Sequence, residues 1–161
     1  MATLMTFLLL TTATATSVQY DPQVDLSRYE TWSWHRAVTP ATNPVTDKRI
    51  REAIENGLAA RGISRVDRDG TLLVVYHASK TIDIGLVPIK SAVASTPPGI
   101  RYVEKGSLVV EMLDAASGNV VWQGHAGGAL RFGPSEIAEQ VKTAVEKLLE
   151  NFPPPAPRPV P

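Results

Sequence analysis

The chain has no cysteine, which removes disulfides, thiolate nucleophiles, iron–sulfur clusters and cysteine-held zinc together. It has no charge excess either: 16 Lys and Arg balance 16 Asp and Glu. Neither sign forms a long block, so no field exists to gather nucleic acid or an anionic membrane, and nucleic-acid binding is not expected. No apolar run reaches the ~20 residues that a membrane-spanning helix needs. Histidine is scarce, and His35, His77 and His125 lie too far apart in sequence for the H-x-x-x-H or H-x-H spacing that preorganises a metal on one element. There is no G-x-S-x-G, phosphate loop or dinucleotide fingerprint, and the "GHAGG" at Gly124–Gly128 lacks the strand-loop-helix setting that cradles a phosphate. Motifs therefore assign no catalytic residue, no metal ligand and no cofactor.

What is present starts with two unusual ends. The segment 1–17 carries an apolar run from Leu4 to Leu10 and then small residues, with Ala13-Thr14-Ala15 fitting an A-x-A cleavage pattern. It reads as an export leader, although the first basic residue is Arg28; a packed N-terminus is the alternative. Residues 153–161, "PPPAPRPVP", cannot continue a helix and are expected to be an extended proline-rich tail. Between them residues 18–152 suffice for a single domain with one core.

Within that body "YETWSWHRA" alternates, placing Trp32 and Trp34 on one face of a strand, more naturally as core than as a ligand shelf. "VTDKRIREAIENGLAARG" spaces Ile50, Ala53, Ile54, Gly57 and Leu58 as a helix stripe, starting at Asn43 or Thr46 and ending on Gly62. "DRDG" holds Asp67 and Asp69 but lacks the remaining oxygen ligands of a calcium loop, so it reads as a turn. "TLLVVYHAS" is apolar on both sides and predicts a central strand. From Ile82 to Lys105 the pattern dissolves among three prolines and two glycines, an excursion that is either an extra edge strand with a connector or a contact surface of its own. There Ile82, Ile84 and Leu86 alternate, and Pro97-Pro98-Gly99 forms a corner.

"SLVVEMLDAASGNVVWQGHA" predicts a hairpin turning on Asp114 to Gly118, with Leu108, Val110 and Met112 in one row and Val120 and Trp122 in the facing one. Last, Ile137, Val141, Ala144, Val145, Leu148 and Phe152 form the stripe of a second amphipathic helix that begins near Pro134. The predicted fold is α+β: a mixed or antiparallel sheet of four or five strands with both helices on one face. The other face is left for water, a partner or the long segment.

These motifs, in this order, resemble a bacterial family of domains of unknown function, number forty-one thirty-six. The likeness runs from about Val18 to Pro154 and is carried by "DLSRYETWSW", "RIREAIENGLAARGI", "LLVVYHAS", the hairpin and "NFPP". Its most specific parts are Trp34, the run Leu113, Asp114, Ser117, Gly118, Val121, Trp122 and Gly124, and the closing Phe152-Pro153-Pro154. The resemblance implies export to the bacterial envelope, often as a lipoprotein. A lipid anchor would need a cysteine that this chain lacks, so the expectation is a periplasmic or secreted protein. It carries over no activity and no site residues. The leading expectation is a non-catalytic module that binds another envelope protein or component through the free sheet face or residues 82–105. The rival is a hydrolase-like enzyme built on His77, His125 and Asp114, with the two histidines expected on one outer face.

Overall fold

The computed structural model describes residues 15–38, 40–41, 43–87, 99–130, 133–150 and 152. The greater part of the predicted leader and the proline-rich tail lie outside them. The strands are β1 (Ala15–Tyr20), β2 (Thr31–Trp34), β3 (Ser64–Arg65), β4 (Leu72–Val87), β5 (Gly99–Asp114) and β6 (Val120–Ala129). The helices are α1 (Pro44–Ala59) and α2 (Pro134–Glu150), and a short 3-10 turn covers Leu26–Arg28. The strands form one mixed sheet in the order β1-β6-β5-β4-β2-β3. β2 runs parallel to both β3 and β4, and the remaining pairs are antiparallel. The α+β class is as predicted, but the sheet has six strands instead of four or five. The additions are the two edges. β3 has two residues, and β1 is largely exposed, so neither carries the buried alternation that marks a strand in sequence.

The helices form where the sequence places their caps. Asn43 accepts from the backbone N–H groups of Val45 and Thr46, and Pro44 opens the first turn, where its missing N–H costs nothing. At the other end Gly62 takes φ 78° and the Ile63 N–H reaches back to the Leu58 carbonyl, closing the helix as predicted. Arg61 adds a hydrogen bond from its guanidinium to the Gly57 carbonyl, 2.8 Å. At Gly57 the second helix packs close against the first: a Cβ there would lie 2.4 Å from Leu149 Cδ1.

Both helices cover one face of the sheet, and the core lies between them. Register puts Trp34, Val74, Met112 and Trp122 in one row across four strands, with Tyr76 and Val110 in the next. Trp32, Val74, Tyr76, Met112 and Trp122 are buried, as are Ile54, Leu58, Val145 and Leu148 opposite them. Trp32 packs edge-on against Trp34 at 4.9 Å, so the tryptophan pair is core structure. One detail departs from the predicted hairpin. A bulge between Met112 and Leu113 shifts the register, so Val120 is exposed and Val121 is buried before the alternation resumes at Trp122.

Beside Trp34 a polar knot ties α1 to the sheet. Asp47 accepts from the Tyr76 hydroxyl, from Arg51 Nε at 3.0 Å and from the Ala41 N–H at 2.9 Å, while Arg51 lies over the rings of Trp34 and Tyr76. Burial works against the Asp47 charge, but these donors outweigh it and hold the carboxyl below its ordinary 3.8. A depressed folded pKa means that this contribution is present above the ordinary value and is lost as pH falls below it. Asp47→Asn is therefore expected to cost about 2 kcal/mol at neutral pH, and the gap to the parent should narrow in acid. Urea titrations across that range measure it.

Candidate binding arm and cleft

The rival catalytic grouping does not assemble. His77 and His125 do share the outer face, each opposite Val109, but two strand spacings put them about 10 Å apart. Each is held by its own neighbours. His125 Nε2 lies 3.0 Å from Ser107 Oγ, and His77 Nε2 lies 3.9 Å from Glu111 Oε2, whose second oxygen accepts from Gln123 at 2.6 Å. Asp114 is five residues along β5 from Val109, about 17 Å away. Its carboxylate has a different task. It accepts from the Ser117 N–H at 2.8 Å, from the Tyr29 hydroxyl at 2.8 Å and from Arg28, and these bonds, the Ser117 N–H foremost, hold its pKa far down. Asp114 thus builds the turn, with Gly118 left-handed at φ 72° as predicted, and pins the β1–β2 connection to the end of the sheet.

The stretch expected to be irregular from Ile82 is instead regular strand in its described parts, residues 82–87 and 99–105. β4 continues to Val87, β5 begins at Gly99, and the two pair continuously from Leu72↔Asp114 to Val87↔Gly99. All three prolines of the stretch fall at 88, 97 and 98, between the strands, so they never interrupt the ladder. Pro97 and Pro98 of the predicted corner, and the Leu86 side chain, lie outside the described detail.

This extension leaves the body of the sheet. β6 last pairs with β5 at Lys105↔Ala129, so among the described residues β4 and β5 beyond Asp83 and Val103 form a two-stranded arm. An isolated ribbon of this kind is marginal in water. Its faces differ sharply. Asp83 and Lys105 form an ion pair at 2.5 Å. The opposite face, in phase with the core, carries Ile82, Ile84 and Tyr102, which are 59%, 70% and 61% exposed, with Ile84 and Tyr102 directly opposed.

At the foot of that apolar face lies a cleft of about 510 Å³ between the sheet and the first turns of both helices. It exists because side chains on the core face of the sheet shrink along the strands. Above the row of Tyr76 and Val110 come Ala78, Leu108 and Ala126, and above that Lys80, Gly106 and Gly128, with the Leu130 side chain lying over Gly106, where a Cβ would come 2.7 Å from its Cδ2. The helices continue overhead with Ile50, Ile137 and Val141, which line the cleft without filling it. At the rim Lys80 and Glu104 pair at 2.8 Å. The sequence carried a signal for this cleft: "GHAGGA" and Gly106 put glycine and alanine at positions whose phase belongs to the core. Among the described residues no group of His, Asp and Glu is placed to hold a metal, and no helix is long and apolar enough to cross a membrane.

Several solved structures share this fold. A PDZ domain protein from Parabacteroides distasonis superposes with a TM-score of 0.60 at 14% identity over 86% of this chain. The present chain spans only 35% of that protein. A PelC dodecamer from Paraburkholderia phytofirmans matches with a TM-score of 0.54 at 14% identity, over 91% of this chain and 100% of its own. A DUF4136 family protein from Bacteroides thetaiotaomicron gives 0.55 at 11% identity over 85% of this chain and 94% of its own. At such identities the likeness is one of fold. No curated protein matches the chain in sequence. A family model described as "Domain of unknown function (DUF4136)" matches residues 16–154, nearly the whole body with its Trp34, Asp114–Gly124 and Phe152 landmarks, and the chain therefore belongs to the DUF4136 family.

Proposed function

We propose that this protein is a non-catalytic binding module of the bacterial envelope, and that it holds another envelope protein on its hairpin arm. The observation that carries this reading is the exposed row of Ile82, Ile84 and Tyr102, the last two on a ribbon to which no third strand pairs among the described residues. A large apolar row of this kind, on a bare strand pair, is costly to leave in water and is a standing template for a partner. Export rests on the Leu4–Leu10 run and the Ala13-Thr14-Ala15 pattern. Cleavage after Ala15 would leave Thr16–Tyr20 free to pair with β6. The fold also occurs in a dodecamer, so a second copy of the chain is one form the partner can take.

Cross-linking in cells, followed by identification of what co-purifies, tests the reading. The double variant Ile84→Ser, Tyr102→Ser removes only exposed side chains and should leave the melting temperature unchanged, within ~0.5 kcal/mol of stability. Its co-purifying partner should disappear. Full retention of the partner by the variant refutes the arm as the contact surface.

A further inference from the structure

The cleft adjoins the arm surface and shares Ile82 with it at the mouth, but its enclosed part selects a different kind of occupant. Its volume, about 510 Å³, falls in the range of pockets that enclose a small molecule. Its charged rim residues neutralise one another, Lys80 to Glu104 at 2.8 Å. Its walls are mostly aliphatic, with Ile50, Ala78, Leu108, Ala126, Ile137 and Val141 among the lining side chains, and two of its polar groups already serve the protein: Asn43 Oδ1 caps α1, and a Gln140 side-chain N–H is given to the Ala129 carbonyl at 3.1 Å. A peptide entering here would bring backbone N–H and C=O groups into mostly aliphatic surroundings, where each one left unmet is costly. A hydrocarbon chain brings no such demand. The shape agrees. Apolar surface runs from Ala78 on the floor past Ile82 at the mouth to Ile84 on the arm, about 20 Å along β4.

We infer that the cleft binds a single hydrocarbon chain, the acyl tail of a lipid or of a free fatty acid, with the tail buried against Ala78, Leu108 and Ala126 and the head group left at the mouth. The tail is what is recognised. Affinity should therefore follow chain length and be insensitive to the head.

Titration of the full chain with octanoic, dodecanoic and hexadecanoic acid tests this, with hexadecanol and hexadecanoyl lysophosphatidylcholine as arms that keep the tail and change the head. Each added methylene is expected to tighten binding about fourfold, ~0.8 kcal/mol, until the cleft is full. Exchange of the head should alter the Kd by only a few-fold. Ala78→Phe fills the floor and should weaken binding by at least about tenfold; Val141→Phe fills the same space from α2 and should do likewise, which covers the case in which the first variant does not fold. Ile84→Ser, Tyr102→Ser should still bind octanoic acid, so a failed arm reading and a failed cleft reading give different results. Affinity that is flat in chain length, that follows the head group, or that is unchanged in both filled variants overturns the inference.

Discussion

Gly70→Ala is expected to destabilise the protein severely, although it adds a single methyl group in what the sequence presents as a surface turn. A Cβ at Gly70 would lie 2.4 Å from the Trp32 carbonyl carbon, 2.5 Å from the Ser33 nitrogen and 2.7 Å from Trp32 Cα. These are backbone atoms of β2, so no rotamer change can relieve the contact. The strand itself must move. β2 is held by parallel pairing with Leu72–Val74 and by the short β3, and it carries Trp32 into the centre of the core. Displacing it lengthens ladder hydrogen bonds and opens space around a buried indole at once. Overpacking of this kind costs about 3 kcal/mol or more, against total stabilities of about 5–15 kcal/mol. Chemical denaturation of the purified variant measures the loss. Gly118→Ala, where a Cβ would have nothing within 4 Å, is the useful contrast: its cost comes only from φ 72° and should be near 1 kcal/mol.

The second large effect is expected at Trp122. Its ring is fully buried, packs edge-on against Phe152 at 5.7 Å and lies where a Cβ on Gly124 would touch it at 2.5 Å. The glycine two residues on is thus the space into which the indole lies along its own strand. Trp122→Ala removes the largest side chain joining β6 to the end of α2 and should cost about 4 kcal/mol, or roughly 15 °C in Tm for a domain of this size. Trp122→Phe should cost much less. Among the described residues the indole N–H has no acceptor, so the smaller ring also removes an unsatisfied buried donor. Differential scanning calorimetry of the pair checks both the magnitude and the order.

Both effects bear on how far this fold can be read from its sequence. Elements whose side chains alternate between core and solvent are legible: Trp32 and Trp34 on β2, the Ile50, Ile54 and Leu58 stripe on α1, and the turn from Asp114 to Gly118 all form as their spacing predicts. β1 is not legible, because its Val18 is the single residue of six that is even partly buried and the strand owes its existence to pairing with β6. The arm was obscured for the opposite reason. Its alternation of Ile82 and Ile84 is real, but the nearby prolines draw attention to a break that falls between strands instead of within them. The role of Gly70 is invisible in sequence, since it depends on where β2 crosses it in space.

The candidate sites divide in the same way. That His77 and His125 share an outer face follows from strand parity, whereas their separation follows from sheet order, which places β5 between them. Asp114 looks like a spare carboxylate next to a hairpin until Arg28 and Tyr29 arrive from a segment 85 and 86 residues away. The cleft was written in small residues at core-phase positions, yet only the placement of the two helices turns missing side chains into enclosed volume. Arm and cleft lie on the same side of the sheet, so one end of the molecule holds both surfaces on which a ligand or partner could be bound.

The proposed role requires that the apolar face of the arm meet a partner where the protein works. Placing a photo-reactive amino acid at Ile84 and, as a control, at the exposed Glu146 on α2 and irradiating living cells tests this directly. The arm reading predicts one discrete cross-linked adduct from position 84 and none from 146. No adduct at 84, or the same adducts from both positions, contradicts it.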